Sequence, residues 1–162
     1  MLEPIKAKIQ SSEVAAKTVK QWQAEQKKVV FTNGCFDLLH YGHIHYLAAA
    51  RNLGDALVIG VNSAASIRRL KGPSRPIHDD NSRYHLLAAM SFVDLVVEFD
   101  NDTPLELITM LLPDVLVKGG DWTVENIVGA DLVIANGGMV KSLPFIKGYS
   151  TTAIEQKIQN KL

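Results

Sequence analysis

The chain has 162 residues, 47% of them hydrophobic, with 17 Lys and Arg balanced by 17 Asp and Glu. That size suits one domain with a core of useful volume, and the balance excludes a broad field that would draw the protein onto nucleic acid or an acidic membrane. The lone cysteine, Cys35, excludes an internal disulfide and a multi-cysteine zinc site, which fits a reducing compartment and a cytoplasmic protein.

No run approaches the roughly 20 apolar residues of a membrane span, and the N-terminal residues lack the apolar centre of a secretion signal. Residues 11 to 26 read as a helix, with Ser11 or Ser12 as cap, Glu13 in the first turn, and Ala15, Val19 and Trp22 on one face. Residues 1 to 27 are thus expected as a helical extension packed on a single domain spanning 1 to 162. The run KVVFTNG is β-branched and ends in Asn-Gly, which predicts a buried strand feeding a loop over 33 to 40 and a helix over 42 to 53.

The alternation then repeats: ALVIGVN as strand, 83 to 90 as helix, VDLVVEF as strand, 103 to 111 as helix, and DVLVKGG as strand. LVIANGG and MVKSLPF are expected as edge strands, and STTAIEQKIQNKL as a terminal helix. Alternating β and α elements predict an α/β fold: a Rossmann-like, doubly wound parallel sheet in three layers, α/β/α. Such sheets bind ligands outside the carboxyl ends of their strands, where the strand order reverses. The polar, glycine-bearing stretches NGCFDLLHYGH, KGGDW and GYSTT fall at strand ends or helix starts.

The strongest chemical signal is His40-Tyr41-Gly42-His43, where the first strand's loop becomes a helix. Two imidazoles three residues apart at a helix start point the same way, beside free backbone N–H groups and the positive end of the helix dipole. That is a cradle for phosphate, with Gly42 on the nucleotide side. Helix capping by the histidines is the alternative, as is a metal site from Asp37, His40 and His43. The metal reading is weakened by the irregular spacing through the loop and by the want of a fourth ligand. Before the final helix, Ser150, Thr151 and Thr152 offer a second set of N–H groups for phosphates, and Thr152 with Glu155 has the spacing of a capping box.

The segment GCFDLLHYGH, followed by a helix and the ALVIGVN strand, resembles the signature of the cytidylyltransferase-like nucleotidyltransferase superfamily, whose HxGH element is matched at His40 and His43. The resemblance continues through LKGPSRPI, SRYHLLAAM, LPDVLVKGGDW and GYSTTAI, from about Val29 onward. It is strongest to the adenylyltransferase domain of bacterial ADP-heptose synthases, in a form without the sugar kinase domain. Glycerol-3-phosphate cytidylyltransferases share the GxFDLLHxGH form, but PFIKGYSTT lacks the arginine common upstream of their glycine-serine-threonine motif.

The resemblance implies transfer of AMP from ATP to D-glycero-β-D-manno-heptose 1-phosphate, for lipopolysaccharide core or related glycans. His40 and His43 then donate to the triphosphate, and Lys71 acts from a mobile loop on the α-phosphate and acceptor phosphate together. Asn33, Gly34, Cys35 and Phe36 line the nucleotide cleft. Cys35 is expected as a small buried group and not a nucleophile. Asp37 orients a histidine or fixes the loop, and with Arg75 belongs to the substrate side. Lys118, Gly119, Gly120, Asp121 and Trp122 lie near ribose and base. Mg²⁺ accompanies ATP, held by phosphate oxygens and water and not by protein ligands. A homodimer through residues 84 to 92 is expected.

Three other classes compete: a non-catalytic nucleotide-binding module, another small-molecule adenylyltransferase for pantetheine phosphate or flavin mononucleotide, and a tRNA-charging catalytic domain. The last is disfavoured by the absence of a KMSKS-like segment and a basic stripe.

Overall fold

The β-branched runs form a continuous parallel sheet. In a computed structural model, which describes residues 2–160, strands β1 (Ile9–Gln10), β2 (Val29–Gly34), β3 (Ala56–Asn62), β4 (Leu95–Phe99), β5 (Val115–Gly119) and β6 (Met139–Leu143) lie in the order β1-β4-β3-β2-β5-β6, every neighbouring pair parallel. All seven residues of β3 are buried, as a strand covered on both faces requires. The expected beginning of the domain at Met1 and of the last helix's end at Lys161 and Leu162 lie outside the described residues.

Successive strand residues point to opposite faces, so each strand feeds two cores. On one face, Phe31, Val58 and Val97 pack with Ala15 and Val19 of α2 (Ser12–Ala24), Leu107, Ile108 and Leu111 of α6 (Leu105–Leu111), and Val133 of α7 (Ala130–Ala135). On the other, Val30, Leu57, Ile59 and Val96 pack with Tyr46, Leu47 and Ala50 of α3 (Tyr41–Arg51) and Tyr84, Leu87 and Ala88 of α5 (Asp80–Ala88). The result is the three-layer α/β/α arrangement. Strand β2 is followed by β3 on one side and flanked by β5 on the other, so the order reverses between β2 and β5. The crevice of the sheet opens at their carboxyl ends.

Three expectations need correction. The LVIANGG run is helix α7, not an edge strand, because Ala130 and Val133, three apart, both turn into the core and the chain leaves the helix at Asn136 and Gly137. The first 27 residues are not an appended helix: α1 (Leu2–Lys6) leads into β1, a strand of the sheet, and α2 buries Ala15 and Val19 completely. Helix α5 starts three residues early, since Asp79 accepts a hydrogen bond from the Ser82 N–H at 2.9 Å and caps it. Its apolar residues Tyr84, Leu87 and Ala88 serve the protein's own core, leaving Leu86 exposed. No helix among the described residues is long and apolar enough to cross a membrane.

Candidate active site

Strand β2 ends in a tight turn that sets the site's floor. Phe36 has φ 48°, a left-handed conformation that costs a β-carbon-bearing residue about 1 kcal/mol or more. Its ring, 5% exposed and packed in the α3–α5 core, holds that conformation in place. Residues 37 to 40 then lead into α3, with His40 in extended geometry at the cap position, its side chain making no capping bond. Capping is therefore not what the His40 ring does here.

The His40 and His43 rings stack with centroids 3.9 Å apart and planes 27° from parallel, and Phe36 lies 5.4 Å from His43. Gly42 allows this approach: a β-carbon there would meet His40 Nδ1 at 3.0 Å and the Tyr149 side chain at 3.1 Å. Both Nδ1 atoms are buried with no hydrogen-bond partner in the protein. Burial, then the charges of His40 and Lys71, push His43 down to about 4, and burial lowers His40 as well. Both imidazoles are neutral near pH 7, each with one N–H to donate.

Around them is a cleft of about 790 Å³, within the range of small-molecule sites. It is lined by Asn33, Gly34, Cys35, Phe36, Asp37 and His43 from the β2–α3 segment, Lys71 at the end of α4 (Ala64–Lys71), Arg75 from the α4–α5 connection, Lys118 in β5 and Trp122 beyond it, and Thr151 and Thr152 from α8 (Thr151–Gln159). Helix α4 ends on Lys71, whose side chain is exposed. Five of the residues expected at the site are not part of this lining: His40, stacked on His43, Gly42 inside α3, Gly120 and the exposed Asp121 at the β5 turn, and the exposed Ser150 at the α8 cap.

Lys118 lies partly buried with its ammonium 5.8 Å from the Trp122 ring centre, and burial lowers its pKa. Trp122, 46% exposed, donates its indole N–H to Gly119 O at 3.2 Å. Cys35 is half-buried at the cleft wall and not enclosed in the core as expected, its thiol 3.9 Å from Asn62 Oδ1. The α8 cap also differs from expectation. Ser150, and not Thr152, accepts from the Ala153 N–H at 3.1 Å, and Glu155 turns away from the helix start to pair with Arg75.

Asp37 is the most enclosed carboxylate of the site, 5% exposed. Burial would raise its pKa, but hydrogen bonds from the His78 and Ile77 N–H groups and from Arg75 outweigh that and hold it below the usual carboxylate value. It fixes the α4–α5 loop and, among the described residues, hydrogen-bonds no histidine ring. Arg75 is correspondingly engaged by two carboxylates, Asp37 and Glu155.

Several contributors lacked a local sequence signal. Arg83 on α5 is completely buried and donates to Cys35 O at 2.7 Å, Asn62 O at 2.9 Å and the Asp80 carboxylate, tying the ends of β2 and β3 together. Tyr46 pairs its hydroxyl with Thr32, and burial pushes its pKa to about 12. Asn62, Asp102, Thr103 and Phe145 also line the cleft. Asn62 was within reach of sequence reasoning, since it closes a buried strand at the ligand end of the sheet. Among the described residues, no group of three or more His, Cys, Asp or Glu side chains is arranged to hold a metal ion.

Known proteins resemble this chain across nearly all these elements. It is 55% identical over 152 residues to the bifunctional protein HldE of Trichlorobacter lovleyi, covering 94% of this chain and 31% of that protein. It is 62% identical over 132 residues to the bifunctional protein HldE of Syntrophotalea carbinolica, covering 82% of this chain and 27% of that protein. The chain thus spans about a third of the length of these curated relatives. Among solved structures, the lipopolysaccharide core biosynthesis protein of Thermoplasma volcanium GSS1 superposes with a TM-score of 0.59 at 32% identity, covering 76% of this chain and 99% of that one. The sequence profile of the cytidylyltransferase-like family matches residues 31–157, from the core of β2 to the body of α8. With that match over most of its length, and a cleft at the point where its sheet order reverses, the chain belongs to the cytidylyltransferase-like family of nucleotidyltransferases.

Proposed function

We propose that the chain transfers AMP from ATP to D-glycero-β-D-manno-heptose 1-phosphate, giving ADP-heptose and pyrophosphate for lipopolysaccharide core or related glycan synthesis in the cytoplasm. One observation carries the reading: four segments scattered along the sequence, at His43, Lys71, Lys118 and Thr151, line a single cleft. The choice of nucleotide and sugar is supported by the likeness to the HldE proteins and to a protein of lipopolysaccharide core biosynthesis.

The chemistry asks little covalent work of the protein. A sugar phosphate has a second pKa of about 6, so at neutral pH its dianion is already the nucleophile. An oxygen of that phosphate attacks the α-phosphorus in line, and the bond to the β-phosphate oxygen breaks as pyrophosphate leaves. Rate then comes from bringing two polyanions together and stabilising the charge between them. His43 donates its N–H to the α-phosphate as a neutral imidazole, with His40 stacked behind it, and Lys71 supplies a positive charge shared by α-phosphate and acceptor. The N–H groups at the start of α8 receive the distal phosphates. Lys118 and Trp122 lie on the ribose and base side.

Mg²⁺ enters with ATP. The donor set fits an ion carried by phosphate oxygens and water, since the Asp37 carboxylate is already occupied by three N–H donors. The ion lowers the charge of the triphosphate that these residues bind.

Pyrophosphate release tests the proposal across ATP, CTP, GTP and UTP, each with heptose 1-phosphate and with glycerol 3-phosphate. ATP with heptose 1-phosphate is expected to turn over fastest. Preference for CTP with glycerol 3-phosphate overturns the substrate reading, and ATP binding without turnover of any pair makes the cleft a binding module.

A further inference from the structure

One ion-pair chain joins three segments remote in sequence. Arg75 donates from Nη1 to Asp37 Oδ2 at 2.9 Å and from Nη2 to Glu155 on α8. The other oxygen of Asp37 accepts the Ile77 and His78 N–H groups at 2.8 and 2.9 Å. The β2–α3 segment, the α4–α5 loop and α8 are therefore fastened at one guanidinium, which is only 20% exposed, against 26% for Glu155 and 5% for Asp37.

Helix α8 needs such a fastening. None of its residues is buried, so apolar packing does little to fix its angle or its rotation. Thr151, which lines the cleft, precedes Glu155 by four residues, and side chains at that spacing share one helix face. A pull on Glu155 is thus transmitted to the cleft-facing turn.

We propose that Glu155 is a positioning residue that acts through Arg75, holding the first turn of α8 against the cleft and so setting affinity for ATP more than the rate of the chemical step. This rests on the reading of the cleft as a triphosphate site. The sign of the effect separates anchoring from simple charge. A carboxylate one turn from bound phosphates repels them, so if Glu155 acted by charge alone its neutralisation would tighten ATP binding. As an anchor, its neutralisation weakens binding.

The test compares the full chain with Glu155→Gln, Arg75→Gln and the double variant, by calorimetry with MgATP alone, by steady-state pyrophosphate release, and by amide exchange across α8. Glu155→Gln is expected to raise both Kd and KM for ATP about tenfold, a change of about 1.4 kcal/mol, with kcat within about twofold and faster exchange in α8. The double variant should bind ATP no more weakly than Arg75→Gln, since the two act as one unit. Unchanged or tighter ATP binding in Glu155→Gln overturns the proposal, as do additive effects or a fall in Tm alone. If the wild-type chain fails to use heptose 1-phosphate while ATP binding still depends on Glu155, the substrate reading falls and the anchor stands. If turnover is as proposed but ATP binding ignores Glu155, the anchor falls alone. A wild-type chain that does not bind ATP overturns both.

Discussion

The His43 imidazole is held between the ring of Phe36 at 5.4 Å and the stacked ring of His40 at 3.9 Å, with its Nδ1 buried and unpartnered. A proton on that nitrogen finds no acceptor in the protein, and burial is the first reason the pKa of His43 drops to about 4.

Stability should therefore depend on pH in a definite window. In the unfolded chain a histidine titrates near 6.5, so between about pH 6.5 and 4 the unfolded state holds a proton that the folded state refuses. Stability is full above that window and falls as pH drops through it, with His40 acting in the same direction. Asp37 acts lower: its contribution, present above the usual carboxylate pKa, is lost only as pH falls through its depressed folded value. Thermal unfolding from pH 8 to 4 should show the loss, and His43→Gln should flatten the slope. An unchanged slope would assign the pH dependence to other groups.

His43→Ala should lower kcat by about 10² to 10³, the usual cost of losing one preorganised donor to a developing anionic oxygen. KM should change less, because the interaction strengthens toward the transition state. His43 is only partly enclosed, and its removal empties space at the cleft and not in the main core. Unchanged kcat, or inactivation explained by a large fall in Tm, would make the ring a structural element.

The four inner strands were legible because VVFTNG, ALVIGVN, LVVEF and VLVKG are apolar, β-branched runs bounded by polar or glycine residues. Strand β1 was not, because Ile9–Gln10 has no pattern of its own and exists by pairing with Val96 and Val97. Nor was α7, since a short apolar run reads equally as strand or helix until its packing partners are known. At the site, the HYGH turn and the α8 start announce themselves through local spacing. The Arg75–Glu155 pair spans 80 residues and Arg83 reaches back 48 to Cys35, so both depend on chain closure that no local window contains. Glu155 even carried a misleading local signal, the capping-box spacing from Thr152.

Arg83→Met should destabilise the protein by about 3 kcal/mol while keeping most of the side-chain volume. The guanidinium, fully buried, serves two strand-end carbonyls and Asp80, and orphaned buried acceptors cost roughly 1–3 kcal/mol each. Asp80 is partly exposed and adds less, since water can solvate it. Cys35 and Asn62 both line the cleft, so KM for ATP should rise as well. Denaturant unfolding measures the first effect, and a loss below about 1 kcal/mol would show that the carbonyls find other donors.

Lys71 combines a fixed base with a free tip. Its helix, α4, is clamped along its length: Ser63 donates to Asp100, Ser66 donates to Asn101 O at 3.1 Å, and Arg69 donates to Asp102 at 2.9 Å. The loop beyond is tied down where Ile77 and His78 meet Asp37. Between these anchors stands Gly72, with φ 96° and nothing within 4 Å of where a β-carbon would be. Movement toward the phosphates should therefore come from the long lysine side chain and a local pivot at Gly72, and not from a helix swinging as a lid. Lys71→Ala should reduce kcat by about 10² or more, because its ammonium offsets repulsion between phosphates that must approach each other. Lys71→Arg should recover little, since a planar fork does not replace a compact charge at a shared oxygen. Gly72→Ala tests the pivot: φ near 96° strains any residue with a β-carbon, so turnover should fall while ATP affinity holds. Near-normal turnover of Lys71→Ala at saturating substrates would make this lysine a surface charge, and Gly72 would then have nothing to aim.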